Sequence, residues 1–274
     1  MAQSNEALKE LLVRGGAGAA VVAVVLGALY TGGMTWTVLV SVLALVSLGE
    51  FYSMLSRKFK VSRGVGFMAG VLILFTASEG IHPISLVLTL SITAFVILFV
   101  EILRRQIKGE SYAIWNMGGT LGGILYIVIP WTFMILLRRL PSGAILLFTM
   151  FLCTWCCDVA AYLIGSRWGR LRLCENVSPK KTWEGFLGGL SAALLAGVSV
   201  AFVLKIPPLP FLFVGLICGV AGQIGDLAES VIKRETGVKD SGSVIPGHGG
   251  VLDRFDSVLV SGLLVYVLFG VILR

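Results

Sequence analysis

An all-α polytopic membrane protein with about nine transmembrane helices is the fold class that this sequence predicts. Three observations carry the expectation. Of 274 residues, 57% are hydrophobic and 14% charged, whereas soluble domains carry about a quarter charged residues. The mean hydropathy is +0.93. Apolar runs near the ~20 residues that cross a bilayer recur along the whole chain, separated by polar joints.

The runs lie near residues 15–31, 35–55, 64–79, 83–103, 112–137, 142–165, 185–205, 208–232 and 255–273. The first, "AGAAVVAVVLGAL", reads alone as a signal peptide; with eight further runs behind it, it reads as an uncleaved first helix. The fifth contains "NMGGTLGG" and Pro130, which allows a broken or re-entrant element, tolerated at membrane depth only against protein or a wet cavity. Glycine pairs four apart, Gly118/Gly122, Gly119/Gly123 and Gly215/Gly219, suit close helix–helix contact in lipid.

The formal charge of +7 implies no nucleic-acid partner, because basic residues on membrane proteins mostly set orientation. With a cytoplasmic N-terminus, only Arg138, Arg139, Lys205 and Arg274 of the 22 Lys and Arg fall outside. The expected topology is therefore N-terminus in and C-terminus out. Its two longest polar loops, 166–184 and 233–254, are then cytoplasmic. Cys153 and Cys156 form a C-x-x-C on an apolar helix with no second ligand pair. The five cysteines read as small packing residues, in a compartment that disfavours disulfides.

Two regions differ in character. In 1–140 the joints are short, and Glu50, Glu79, Glu101 and Glu110 stand at span ends, where interfacial or snorkelling acids are ordinary. In 141–274, Asp158, Asp226, Glu229, Asp253 and Asp256 lie within or beside apolar helices, all toward the cytoplasmic side. Ionisable groups there cost about 3 kcal/mol each on insertion scales and serve function. The first region is read as scaffold and lipid access, the second as catalytic.

In "GQIGDLAESVIKRETGVKDSG", Asp226, Ser230 and Lys233 recur at i, i+4 and i+7 on one helical face. Glu229 can pair with Lys233 at i+4; an ion pair sealing the helix end is the plain alternative. The loop that follows adds Arg234, Lys239, Asp240, Pro246, His248, Gly249 and Gly250, and successive amides in such loops form anion-binding nests. It leads into the last span, whose first turns carry Asp253, Arg254 and Asp256. A helix N-terminus beside oxygen ligands suits phosphate and a hard cation such as Mg²⁺. The expected metal ligands are Asp226, Asp253 and Asp256. The other loop holds Ser178, Lys180 and Lys181 in "SPKKTWEG", read as phosphate-gripping residues rather than topology alone. No G-x-x-x-x-G-K-[ST] occurs, so a P-loop is excluded.

Over residues 230–256, the run Ser230-Val231-Ile232-Lys233-Arg234, Lys239-Asp240, Ile245-Pro246, His248-Gly249-Gly250 and Asp253-Arg254-Phe255-Asp256 resembles the defining motif of phosphatidate cytidylyltransferases (CDP-diacylglycerol synthases). "GQIGDLAES" and "SPKKTWEG" are similar to that family too, extending the likeness from about residue 155 onward. One departure stands out: where the family often has Asp-Thr-Gly-Ala-Tyr, this chain has Asp158-Val159-Ala160-Ala161-Tyr162. The resemblance implies transfer of the cytidylyl group of CTP to phosphatidate in phospholipid biosynthesis. It also implies Mg²⁺ with a second cation such as K⁺, a bacterial inner-membrane setting with the site facing the cytoplasm, and room for a homodimer. It makes Asp226, Lys233, Arg234, Lys239, Asp240, His248, Asp253, Arg254 and Asp256 catalytic. Asp158, Ser178, Lys180, Lys181, Glu229, Ser230, Gly249 and Gly250 would bind substrate. A CTP-dependent polyprenol or phytol kinase is the alternative. An anion transporter is remote, since its polar groups would gather at mid-bilayer in matching halves.

Overall fold

The computed structural model describes residues 2–80, 82–245 and 249–273, with side chains from Gly15 onward. Among them run α1 (Ala2–Thr31), α2 (Gly33–Leu55), α3 (Arg63–Glu79), α4 (Pro83–Lys108), α5 (Ala113–Arg139), α6 (Gly143–Trp168), α7 (Trp183–Leu204), α8 (Pro208–Thr236) and α9 (Leu252–Ile272). Seven of them are long and apolar enough to cross a membrane; α3 has 17 residues, and the apolar part of α1, Gly15–Thr31, is likewise short. The helices coincide with the apolar runs to within about five residues, except that α1 begins 13 residues ahead of its run. A two-stranded antiparallel hairpin, β1 (Arg172–Cys174) with β2 (Ser178–Thr182), fills much of the loop between α6 and α7.

The fifth run is continuous rather than broken. A π turn, Ile124–Val128, joins its two α segments, and the Ile129 N–H reaches back to the Ile124 carbonyl. Pro130 has no N–H to give, and its ring would press on the carbonyl four residues earlier. The wider turn just before it lets the helix pass without a gap.

The chain forms two compact units: residues 1–136 with 238–252, and residues 137–237 with 253–274. The segment Val238–Leu252 thus groups with the N-terminal helices.

In the first unit, Tyr52 of α2 is fully buried, donates its hydroxyl to the Thr120 carbonyl at 2.7 Å, and packs on Gly66 and Gly123. Trp36 donates its indole N–H to the Met134 carbonyl at 3.1 Å. Two of the four expected interfacial acids depart from that reading. Glu101 is 2% exposed, and accepts from the Tyr112 N–H and the Asn116 amide, both at 2.7 Å, while pairing with Arg104. Glu50, 7% exposed, is described below. Glu79 and Glu110 are exposed. The glycine pairs also divide. A methyl at Gly119 would meet Val61 and Leu55, and one at Gly123 would meet Tyr52, whereas Gly118 and Gly122 face open space. Adjacent residues on a helix point about 100° apart, so only one of the two glycine stripes lies on the packed face.

In the second unit, Gly185, Gly189 and Gly197 line the face of α7 against which other backbone closes. A Cβ at Gly185 would stand 2.8 Å from the Ala161 carbonyl of α6, and one at Gly189 would stand 2.9 Å from Cys157 Sγ. Gly215 and Gly219 of α8 approach α7 at Ala193 and Leu190 as the spacing implied. Cys153, Cys157 and Cys218 are buried free thiols; Cys156 and Cys174 are free and partly buried.

Candidate active site

The second unit gathers most of the polar residues that the sequence singled out. Their placement starts with three local devices. Thr182 ends β2 and caps α7, accepting the Gly185 N–H at 3.2 Å. This satisfies one amide that a helix start leaves without a partner. Alternation along a strand sends neighbouring side chains to opposite faces. Lys181 accordingly turns inward and reaches Asp226 Oδ2 at 2.7 Å, while Lys180 is exposed. The third device is Gly225 in α8, where a Cβ would stand 2.8 Å from the Asp256 carbonyl and 2.9 Å from Val260. The missing side chain lets α8 and α9 close on each other at the level of their acids.

From that approach follows a ladder of charges. Asp226 takes Lys181 on one oxygen and the Ser230 hydroxyl, at 3.5 Å, on the other. One turn on, Glu229 is fully buried, 0% exposed, and lies within electrostatic reach of Asp256. Asp256 Oδ1 also accepts the Ser257 N–H at 2.6 Å. At the next rung Lys233 donates to Glu229 Oε2 at 3.0 Å and to Asp253 Oδ1 at 2.9 Å. Arg234 donates to the Val177 carbonyl at 3.2 Å, tying α8 to the hairpin turn that leads to Ser178. Asp158 of α6 lies within electrostatic reach of Asp256, Asp226, Lys181 and Arg254.

The i, i+4, i+7 stripe and the Glu229–Lys233 pair therefore form as the spacing implied, and Asp253 and Asp256 both face α8. Glu229, assigned to substrate by the sequence, is fully enclosed and paired with Lys233. Lys239, Asp240, Gly249 and Gly250 belong to the first unit's loop. There Ile245 and Gly249 pair as an isolated antiparallel bridge, and Gly249 takes a φ of 82° that only glycine adopts without strain. His248 lies outside the described residues, as does Arg274.

Whether these groups suit a divalent cation is a question of donors and charge. Among the described residues, no three His, Cys, Asp or Glu side chains stand close enough to hold one ion as they are. Lys181 and Lys233 occupy Asp226 and Asp253 instead. The chemistry nevertheless fits. Every donor is a carboxylate oxygen, the type that hard cations select. Asp158, Asp226, Glu229, Asp253 and Asp256 oppose Lys181, Lys233 and Arg254. Five carboxylates against three cations leaves two negative charges when all are ionised. Glu229 Oε1 is buried with no hydrogen-bond partner, and Asp256 lies within electrostatic reach of the same carboxylate, so two like charges share a space that a cation would relieve.

The residue that sequence reasoning missed is Glu50. Its carboxylate accepts the Val251 N–H at 2.9 Å and the Leu252 N–H at 2.8 Å. The nest and helix start that the glycines suggested for phosphate are, at these two amides, filled by the protein's own anion. The available signal was position: residue 50 lies five residues inside the end of α2, within the apolar run rather than beyond it.

Helices of membrane-crossing length with a carboxylate–lysine cluster among the last of them define the class: a helical membrane protein with an ionisable cluster. The chain belongs to the cytidylyltransferase family, which matches residues 12–272. It is 32% identical over 235 residues to the phosphatidate cytidylyltransferase of Staphylococcus aureus, covering 84% of this chain and 88% of that one. It is 45% identical over 131 residues to the Synechocystis sp. enzyme of the same name, which is 47% of this chain and 44% of the relative. A Brucella suis phosphatidate cytidylyltransferase is 44% identical over 135 residues, covering 48% and 49%.

Proposed function

We propose that this protein transfers the cytidylyl group of CTP to phosphatidate, giving CDP-diacylglycerol and pyrophosphate at the cytoplasmic face of a bacterial inner membrane. A phosphatidate oxygen forms the new bond to the α-phosphorus, and the α–β bridging oxygen leaves with pyrophosphate. A phosphate nucleophile is already largely ionised at neutral pH, so little proton transfer is asked of the protein. Positioning and charge neutralisation dominate.

One observation carries the reading: Asp158, Lys181, Asp226, Lys233, Asp253 and Asp256 cluster within and at the ends of apolar helices in a chain of the cytidylyltransferase family. A lipid phosphate held at the interface by its acyl chains and a nucleotide arriving from water meet at such a boundary. Asp226, Asp253 and Asp256 would hold Mg²⁺, which when bound supplies Lewis-acid stabilisation of the triphosphate. Lys181 and Lys233 keep these carboxylates neutralised and aimed, and Arg254, whose side chain is exposed, stands where phosphate oxygens arrive from water. Roles for Lys239, Asp240 and His248 stand on the family motif, and a second cation such as K⁺ on the family resemblance.

The test is purified protein in detergent with labelled CTP, phosphatidate and Mg²⁺. Pyrophosphate and labelled CDP-diacylglycerol are expected, with activity lost on chelation and regained on adding Mg²⁺. Release of CDP with a phosphorylated lipid alcohol would establish the kinase reading instead.

A further inference from the structure

Glu50 is an acid in the middle of a helix turn of α2, buried, and 201 and 202 residues distant in sequence from the two amides it binds. Each carboxylate oxygen takes one backbone N–H: Oε1 from Val251 at 2.9 Å, Oε2 from Leu252 at 2.8 Å. The Ser241 hydroxyl donates to Oε2 at 3.4 Å. Leu252 begins α9, so its amide is one that the helix itself cannot satisfy. A carboxylate at this end also complements the helix dipole.

Two motif-loop glycines are shaped to this carboxylate. A methyl on Gly242 would stand 2.5 Å from Glu50 Oε1, and one on Gly250 would stand 2.6 Å from Oε2. Both ends of the segment 241–252 therefore close on one side chain. In a buried setting, carboxylate-to-amide bonds are among the stronger ones available, and an uncompensated carboxylate would be costly. The loop and Glu50 thus order each other.

We propose that Glu50 is a positioning residue for the transfer reaction: it holds Ser241, Gly242, Gly250 and Val251 of the family motif's loop and Leu252, the first residue of α9. The inference rests on the cytidylyl-transfer reading for its effect on turnover, though not for its effect on the loop.

Glu50→Gln is the discriminating change. It keeps the volume but leaves one acceptor oxygen and turns an NH₂ donor toward a backbone N–H. Two measurements follow. Hydrogen–deuterium exchange in detergent is expected to quicken at least about tenfold in peptides covering 249–252, with exchange of α8 residues 223–236 unchanged. A tenfold change corresponds to about 1.4 kcal/mol, a single charged hydrogen bond at the low end. kcat for CDP-diacylglycerol formation is expected to fall between ten- and a hundredfold, on the order lost when a reacting group is displaced by about an ångström, with KM for CTP and phosphatidate changed less than about twofold. Unchanged exchange would overturn the anchor. Faster exchange with unchanged kcat, or a rise in KM alone, would overturn the positioning role. A wild-type protein that releases no pyrophosphate would overturn the reaction, and with it the role in turnover, while the exchange comparison still reports on the anchor. If Glu50→Gln does not fold, Gly250→Ala enters the same space from the loop side and is expected to give both changes. Normal turnover in that variant would overturn the proposal.

Discussion

Lys233 is where the geometry gives the sharpest expected magnitude. Its ammonium stands between Glu229 Oε2 and Asp253 Oδ1 at 3.0 and 2.9 Å, with side-chain exposures of 14%, 0% and 5% for the three. Lys233→Met keeps most of the stem's volume and deletes the charge, so packing loss is small and the effect is electrostatic. Two buried carboxylates are left without their cation. Removing one partner of a buried pair costs about 3–5 kcal/mol, and serving two carboxylates puts this lysine toward the upper end. For a chain of this size, each kcal/mol moves the unfolding midpoint by about 2–4 °C, so the variant should melt roughly 6–20 °C lower. Thermal unfolding in detergent, read by the fluorescence of the six tryptophans, measures it. Adding Glu229→Gln removes one uncompensated charge and should recover part of the loss. If Lys233→Met melts within about 2 °C of the parent, less than 1 kcal/mol on the same scale, the ladder is not the ion-paired structure described and the reasoning fails.

Three further outcomes follow from the same geometry. Asp256→Asn should bring pyrophosphate release to background, because a carboxylate of the acidic cluster loses its charge where the triphosphate is neutralised; gel filtration and the melting midpoint should show a folded protein. Lys181→Ala should lower kcat by ten- to a hundredfold, since Asp226 loses its 2.7 Å partner and with it the aim of its carboxylate. Lys180→Ala, on the exposed face of β2, should change kcat/KM no more than a few fold, as expected of a screened surface charge, and a steady-state comparison separates the two. Gly123→Ala should cost about 1–3 kcal/mol by pressing on Tyr52, whereas Gly122→Ala, facing open space, should be neutral or slightly stabilising; paired melting curves decide it.

The fold was legible because the bilayer imposes one repeating length on every span, and that length survives any detail of packing. The ladder in α8 was legible for a similar reason: Asp226, Glu229, Ser230 and Lys233 lie on one continuous helix, where spacing fixes which side chains are neighbours. What spacing could not give was partnership between distant segments. Lys181 and Lys180 are equivalent as sequence, and only the pairing of β2 with β1 turns one toward Asp226 and the other to solvent. Gly118/Gly122 and Gly119/Gly123 carry identical signals, and the packed stripe is chosen by Tyr52, Leu55 and Val61 from elsewhere in the chain.

Glycines in a motif with cations nearby read naturally as room for a phosphate, and the same absence of Cβ serves any anion. At Gly242 and Gly250 the anion is Glu50, more than 190 residues away in sequence. A motif therefore mixes residues kept for chemistry with residues kept for the shape that chemistry needs. Lys233 and Asp253 show the two uses within one pair. Their side chains contact each other rather than standing open, so the first effect of Lys233 is to neutralise and orient Asp253 and Glu229 beside it. Gly250 has no side chain to offer a substrate at all, and its glycine is required by a carboxylate that the motif does not contain. A substitution at Glu50 should consequently resemble a motif substitution in its kinetics, although only its place five residues inside the end of α2 sets it apart in sequence from the interfacial acids Glu79 and Glu110.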